Sequence, residues 1–435
     1  MNVRVVLIGA GSRVFTRRLV SDLTRYFQDD VEFNLVDIDP DRLALARQLA
    51  IRIREEAHCQ PAVQAFSELV PALEGCDYVI NSINVGGRPA WTKDFEIPAR
   101  YGVKQTVADT LGIGGIMRGL RTIPEVLKIC AQIEKYAPHA MFLNYTNPMA
   151  MVMMAVYRSS SLTAVGLCHS IPATANQLAH YLEIDPQELE WRAAGINHQA
   201  WFLQLTYHGQ DQYPVLRQRF ATIYDQDPTR FELMRKFGYF PSESSPHSAE
   251  YVSYFLPRKD WVGRLNLVPR AFLDQPPTIA AIETLVQQSE AVYLPDLSIE
   301  YAPKLIHSLE TGEIRMMAVN VPNTGLIANL PRSAVVEVPA LIQGHQICPT
   351  YIGELPVALA ALNRQGIAVQ ELTVQAVLQK DREAVYEAAF LDPNLSTTLD
   401  LDQTVHLVDD LLEAHEAYLP PLAASWSVSL PLAPD

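Results

Sequence analysis

Residues 3–12 read Val3-Arg4-Val5-Val6-Leu7-Ile8-Gly9-Ala10-Gly11-Ser12. Val3 to Ile8 is a nearly continuous apolar run of strand length, which suits a strand buried on both faces. Gly9, Gly11 and Ser12 make a turn, and Val14 to Tyr26 then reads as a helix. Gly9 permits the tight turn, and Gly11 lets backbone approach a pyrophosphate at the helix N-terminus. A second strand, Val31 to Val36, is closed by Asp37. A carboxylate there bonds both ribose hydroxyls of an adenosine and repels a 2′-phosphate, which favours NAD over NADP. Val14 stands where the third glycine of such turns is usual.

The alternation continues outward. Asp39 caps and Pro40 opens the next helix, whose core runs Arg42 to Ala57. Tyr78 to Ser82 and Met141 to Asn144 read as strands with the helix Leu120 to Tyr136 between them, and Ala164 to Leu167 as another strand followed by a helix, Ile171 to Leu182. Strands alternating with helices imply a parallel sheet with right-handed crossovers. Arg192 to Asn197 is extended, residues from about 211 to 277 read as proline- and aromatic-rich loops, and 278–294 and 370–415 read as helical. The expected architecture is α/β: an N-terminal Rossmann-like doubly wound parallel sheet over residues 1–190, and a C-terminal α+β domain over 191–435.

The chain has 435 residues and a formal charge of −15. Such an acidic surface argues against nucleic acid or an anionic membrane as the main partner. Five cysteines, at 59, 76, 130, 168 and 348, form no CxxC pair, so a disulfide framework is not expected and a reduced, cytoplasmic setting fits. The N-terminal apolar run is too short for a secretory h-region, and no apolar stretch is long enough to span a bilayer.

Several polar clusters follow the predicted strands: Asn144-Tyr145-Thr146-Asn147-Pro148, Gly166-Leu167-Cys168-His169-Ser170 and Gly195-Ile196-Asn197-His198. Ligands collect beyond the carboxyl ends of parallel strands. A thiolate and an imidazole can hold a divalent ion with positions left open for substrate oxygens, so Cys168 and His198 are a candidate pair. Each also has a plainer reading, Cys168 as a small buried apolar residue and His198 as a satisfied polar group. Ala108-Asp109-Thr110-Leu111-Gly112-Ile113-Gly114-Gly115 sets an acid beside three glycines that allow close backbone approach to cofactor or sugar. Glu243 to Tyr251 brings two acids, a His and a Tyr into nine residues, either a catalytic loop or a solvated one.

Taken together, these segments resemble the NAD-dependent glycoside hydrolases of family four. The carrying motifs are GAGS at 9–12, VDID at 36–39, ADTLGIGGIMRGLRTIP at 108–124, NYTNPMAM at 144–151, GLCHS at 166–170, GINH at 195–198 and GYFPSESSPHSAEY at 238–251. GLIANLP at 325–331 and LVDDLLEAH at 407–415 resemble the alpha-galactosidase (melibiase) branch. The resemblance implies an enzyme that oxidises the sugar's 3-hydroxyl with NAD, removes the acidified C2 proton, eliminates the glycosidic oxygen, adds water and returns the hydride, an exception to two-carboxylate glycosidase chemistry.

Residue by residue, the resemblance implies that Gly9, Gly11, Ser12 and Asp37 bind the cofactor, that Cys168 and His198 hold a divalent metal, commonly Mn2+, and that Asn147 binds substrate hydroxyls. Tyr251 matches the base, with Glu243 as its rival. The general acid is His169, standing where phospho-sugar members carry Asp, or Asp109. The phosphate-binding Arg of those members falls near Trp91 (Arg88 is close by), and an indole cannot neutralise a phosphate dianion. An unphosphorylated alpha-galactoside such as melibiose is therefore the expected substrate. Alpha-glucosides, alpha-glucuronides and alpha-galacturonides are alternatives, and the resemblance implies a homodimer or homotetramer. Two other readings share the N-terminal half: an NAD-dependent 2-hydroxyacid dehydrogenase and an NAD-sensing binding module.

Overall fold

The computed structural model describes residues 2–269, 278–288 and 290–423. One 13-stranded sheet runs through it. Its strands are β1 (Val3–Ile8), β2 (Val31–Val36), β3 (Ala62–Phe66), β4 (Tyr78–Asn81), β5 (Met141–Asn144), β6 (Ala164–Gly166), β7 (Leu189–Ile196), β8 (Gln199–Tyr207), β9 (Gln210–Asp211), β10 (Phe240–Pro241), β11 (Arg315–Pro322), β12 (Val335–Gln343) and β13 (Gln346–Pro349). The order is β10-β8-β7-β12-β11-β6-β5-β4-β1-β2-β3, with β13 beside β12 and β9 beside β8.

The six strands from β3 to β6 pair in parallel, as the alternation predicts, and their order is the doubly wound 3-2-1-4-5-6. The apolar run of β1 is explained by its two covered faces. Val5 and Leu7 enter one core with Phe33, Leu35, Leu19 and Leu49. Val6 and Ile8 enter the other with Val79, Ile116, Leu120 and Met151. Successive side chains of a strand point to opposite faces, so both sets must be apolar.

The second half of the sheet is antiparallel. β11 joins β6 through the pairing of Asn320 with Gly166, and β12 joins β7 through Glu337 with Gly195. Along their length β11 pairs with β12 and β7 with β8. The carboxyl end of β6 and the β7–β8 turn are thereby brought together.

Several boundaries differ from the sequence expectation. β3, β11 and β12 are strands that the pattern does not announce. β3 is short, and β12 carries Glu337 and Pro339 in its middle, residues that interrupt the apolar signal of a strand. The helix expected at Leu120 begins at Gly112, so the three glycines form its first turn rather than a loop. Among the described residues, the expected loops after 211 hold four helices, Tyr213–Ile223, Pro228–Phe237, Ser245–Glu250 and Lys259–Arg264. The last part of that expected stretch, 270–277, lies outside the described residues. The helix expected over 278–294 ends at Gln287, and that expected over 370–415 is three helices, Val357–Gln379, Glu383–Leu391 and Leu401–His415. A helix at Tyr301–Thr311, with Pro303 in its first turn, was not signalled. Among the described residues, no helix is long and apolar enough to cross a membrane.

Candidate active site

The N-terminal turn closes at Gly9, whose φ of 78° is one that L side chains rarely adopt. A Cβ on Gly9 would stand 2.9 Å from the Ser82 carbonyl oxygen. At Gly11 a Cβ would meet Asp37 Oδ2 and Arg42 Cβ, each at 2.7 Å. Gly11 is thus small for Asp37 as well as for any incoming phosphate. Its N–H donates to Asp37 Oδ2 at 2.7 Å, and the Asp39 N–H donates to Asp37 Oδ1 at 3.0 Å. Ser12 caps the helix Arg13–Phe27, its hydroxyl accepting from the Phe15 N–H. The turn, the fixed carboxylate and the helix N-terminus that follows them fit a dinucleotide.

A second constellation gathers around the imidazole of His198. This residue sits in the short β7–β8 turn at φ 63° and is buried. Cys168, just past β6, places Sγ 3.4 Å from His198 Nε2. Glu243 Oε2 lies 3.5 Å from the same nitrogen. On the other side, Nδ1 stands 3.0 Å from Thr110 Oγ1 and 3.2 Å from the Tyr251 hydroxyl. Thr110 donates to Asp109 Oδ1 at 2.8 Å. His247 lies between the acids, with Nε2 3.5 Å from Asp109 Oδ1 and Nδ1 3.4 Å from Glu243 Oε1.

The loop that carries Asp109 and Thr110 is held from beneath. Glu250, buried, accepts the N–H groups of Thr106, Val107 and Ala108 at 2.7, 2.8 and 3.0 Å. Ala108 is left at φ 56°. The glycines after it serve this packing: a Cβ on Gly115 would stand 2.6 Å from the Thr110 carbonyl carbon, and one on Gly114 2.6 Å from Ala108 Cβ. Their close approach is to the chain's own loop, where the sequence reading looked to cofactor or sugar.

Electrostatics separate the groups. Burial pushes Asp109 up, but His247, Arg118 and His198 outweigh it and hold the carboxyl well below the usual range. Burial likewise opposes His198 and His247 at Glu243, and the balance sits at about 2. The Cys168 thiol is pushed up to about 12, by burial first and then by the Glu337 charge. Burial, with the charges of Asp109, Glu243 and Glu250, raises Tyr251 well above its ordinary value. Cys168 and Tyr251 are therefore neutral here, and a cation beside them would reverse that preference. Thiol, imidazole nitrogen and carboxylate within 4.8 Å of one another form a donor set that fits a divalent ion.

His169 and Asn147 lie at the edges of this cluster. His169 turns to Glu300, with Nδ1 3.5 Å from Oε1, and Glu300 also receives Arg18 Nη1 at 2.8 Å. The hydrogen bond with Glu300 raises the His169 pKa against the opposing effect of burial. Asn147 follows β5, and its carbonyl accepts from Arg118 Nε, while Arg118 Nη1 lies 3.9 Å from Asp109. Trp91 is half-buried behind the Thr106–Ala108 loop, its Nε1–H donating to the Val107 carbonyl and its ring edge-on to Phe95. Thr110, His247, Glu250, Glu300 and Glu337 are additions from the structure. His247 and Glu250 had a signal as members of the polar run 243–251, and Thr110 as a member of the segment 108–115; Glu300 and Glu337 had none.

Known proteins match the chain along most of its length. Residues 4–184 match a family model described as family 4 glycosyl hydrolase, and residues 193–395 match the model of the C-terminal domain of family 4 glycosyl hydrolases. The chain is 40% identical over 431 residues to an alpha-galactosidase of Bacillus subtilis, covering 96% of this chain and 99% of that protein. It is 32% identical to an alpha-galactosidase of Rhizobium meliloti, covering 97% and 90%. Its fold matches a 6-phospho-alpha-glucosidase from gut microorganisms, solved in complex with NAD and Mn2+, with a TM-score of 0.81 over 97% of this chain and 100% of that one, at 20% identity.

Proposed function

The chain belongs to the family 4 glycosyl hydrolases, and from that premise we propose that it cleaves unphosphorylated alpha-galactosides, melibiose-like disaccharides or oligosaccharides, with NAD and a divalent metal such as Mn2+. The observation that carries the proposal is the single imidazole of His198, with Cys168 Sγ 3.4 Å from one nitrogen and the Tyr251 hydroxyl 3.2 Å from the other. Metal donors and a proton acceptor are thereby set side by side.

Gly9, Gly11, Ser12 and Asp37 would hold NAD, and Cys168, His198 and Glu243 would hold the metal. When bound, NAD+ would supply a hydride acceptor that also gives the hydride back, and the metal would supply a Lewis acid for the sugar's oxygens. The protein's own groups supply the rest. Tyr251 takes the C2 proton once the neighbouring C3 carbonyl has made it acidic. Glu243, on the Cys168 side of the imidazole, is assigned to the metal and not to the base role. His169 gives a proton to the departing glycosidic oxygen. Asp109, ringed by His247 and Arg118, is an ionised acceptor and a poor acid. Asn147 orients the sugar hydroxyls. Water then adds to the unsaturated ketone, and the sugar leaves with no net redox change.

The galactoside assignment is supported by the two alpha-galactosidase relatives and by a neutral Trp91 at the place where the resemblance puts a phosphate-binding Arg. We take residues 1–190 as the NAD-binding domain, which also carries Asn147 and Cys168 at its edge, 191–435 as the substrate- and metal-binding and oligomerisation domain, and the working enzyme as a homodimer or homotetramer, which light scattering measures. The test is a panel of aryl alpha-glycosides (galactoside, glucoside, glucuronide, galacturonide and 6-phosphates) with NAD, Mn2+ and a thiol reductant. Preference for the galactoside supports the assignment; preference for any other rejects it.

A further inference from the structure

Metal-binding histidines usually have their second nitrogen fixed by another group, and that group decides which nitrogen carries the proton. For His198 the neighbours on the Nδ1 side are two hydroxyls, each able to donate or to accept. The tautomer therefore hangs on what those hydroxyls do with their own protons.

The Thr110 hydroxyl has one proton. Asp109 Oδ1 lies 2.8 Å from its oxygen and receives it. The opposite orientation would set a carboxylate oxygen against a hydroxyl lone pair at that distance, which is repulsive. With its proton committed, Thr110 Oγ1 can only accept, from His198 Nδ1 3.0 Å away and from the Tyr251 hydroxyl, which also bonds to it. Asp109 is in turn held as a carboxylate by its surroundings, with His247 Nε2 at 3.5 Å and Arg118 Nη1 at 3.9 Å. The loop itself cannot drift, because Glu250 ties the amides of Thr106, Val107 and Ala108. Ala108 and Thr110 are both fully buried.

We propose that Thr110 is a positioning residue that fixes the tautomer of His198, leaving the proton on Nδ1 and a bare Nε2 that accepts the Cys168 S–H at 3.4 Å, with Glu243 Oε2 at 3.5 Å making no hydrogen bond to it. The second hydroxyl makes this necessary. Tyr251, 3.2 Å from the same Nδ1, would otherwise be free to donate to it. That would put the imidazole proton on Nε2, pointing it at Cys168 Sγ, where a metal ligand needs a lone pair. Asp109, Thr110 and His198 thus form a chain that orients the imidazole from 88 residues away in sequence. The consequence for metal binding rests on the reading of Cys168 and His198 as metal donors; the tautomer does not.

The test is nitrogen NMR of [15N]histidine-labelled, metal-free protein about two pH units above the ordinary imidazole pKa of ~6.5. The His198 signals are assigned by their loss in His198→Gln. Wild type and Thr110→Ser should show Nδ1–H. Thr110→Val should shift His198 toward Nε2–H and weaken Mn2+ binding, read by electron paramagnetic resonance, by about 10–100-fold. A wild-type spectrum showing Nε2–H overturns the proposal without any variant, and so does a Thr110→Val spectrum unchanged from wild type. A wild type with Nδ1–H that binds no Mn2+ supports the tautomer and rejects the metal reading.

Discussion

Cys168 Sγ and His198 Nε2 lie 3.4 Å apart across the junction between the parallel and antiparallel halves of the sheet. One residue follows β6 and the other sits in the β7–β8 turn, so β11 and β12 must intervene correctly for the two to meet. Cys168→Ser keeps the size of the side chain and removes the thiolate. The expected outcome is an intact fold by circular dichroism with Mn2+ affinity lowered at least ~100-fold, since even outer-shell partners of metal ligands are worth 10–100-fold. Retention of wild-type Mn2+ affinity would remove Cys168 from the donor set.

The Glu250 carboxylate accepts three successive amides at the base of the Asp109–Thr110 loop. Glu250→Leu keeps much of the side chain's bulk and removes Oε1, the oxygen that accepts all three amides. Buried groups left unpaired cost ~1–3 kcal/mol. The thermal midpoint should fall, and kcat should fall more than NAD affinity, because the cofactor turn lies elsewhere. Equal loss in both would mean that the clamp does not act on the loop.

Gly9 has φ 78° and its missing Cβ faces the Ser82 carbonyl oxygen at 2.9 Å. Gly209 has a similar φ of 74° with nothing within 4 Å. Gly9→Ala should therefore cost more than the ~1–2 kcal/mol of left-handed backbone strain expected at Gly209→Ala, and only Gly9→Ala should weaken NAD binding. Urea unfolding and fluorescence titration of NAD separate the two effects.

Asp392 is buried, accepts the Asn394 and Leu395 amides, and is raised to about 7, chiefly by burial. A carboxyl whose folded pKa lies above its unfolded value of ~3.9 binds more protons when folded. Its stabilising contribution is full below the unfolded pKa and is lost as pH rises through about 7. Asp392→Asn cannot ionise, so its thermal midpoint should gain on wild type as pH is raised from about 5 to about 8. A constant difference between the two proteins across that range would show that Asp392 keeps an ordinary pKa.

The parallel half of the fold was legible because β1 is apolar on both faces, β2, β4 and β5 are mostly apolar, and the turns carry Gly9, Asp37 or Asn144 at their ends. The antiparallel half was not. β12 buries Glu337 and carries Pro339, and β11 buries Asn320, so polar residues that serve the junction erase the strand pattern. At the site, Cys168, His198, Tyr251 and Asp109 could be picked out by residue type and by motif, and the fold brings all four within one cluster. Glu300 could not, since a lone Glu has no spacing that marks it, and Thr110, although inside the motif at 108–124, had nothing to set it apart from its neighbours there. Their roles come from long-range placement: Glu300 is 131 positions from the His169 it meets (300 − 169).

The most direct test of the account is hydrolysis of an aryl alpha-galactoside by protein stripped of both NAD and metal. The account predicts that activity vanishes, returns only when NAD+ and Mn2+ are supplied together with a thiol reductant, and proceeds without accumulation of NADH. Undiminished hydrolysis by the stripped protein would contradict it.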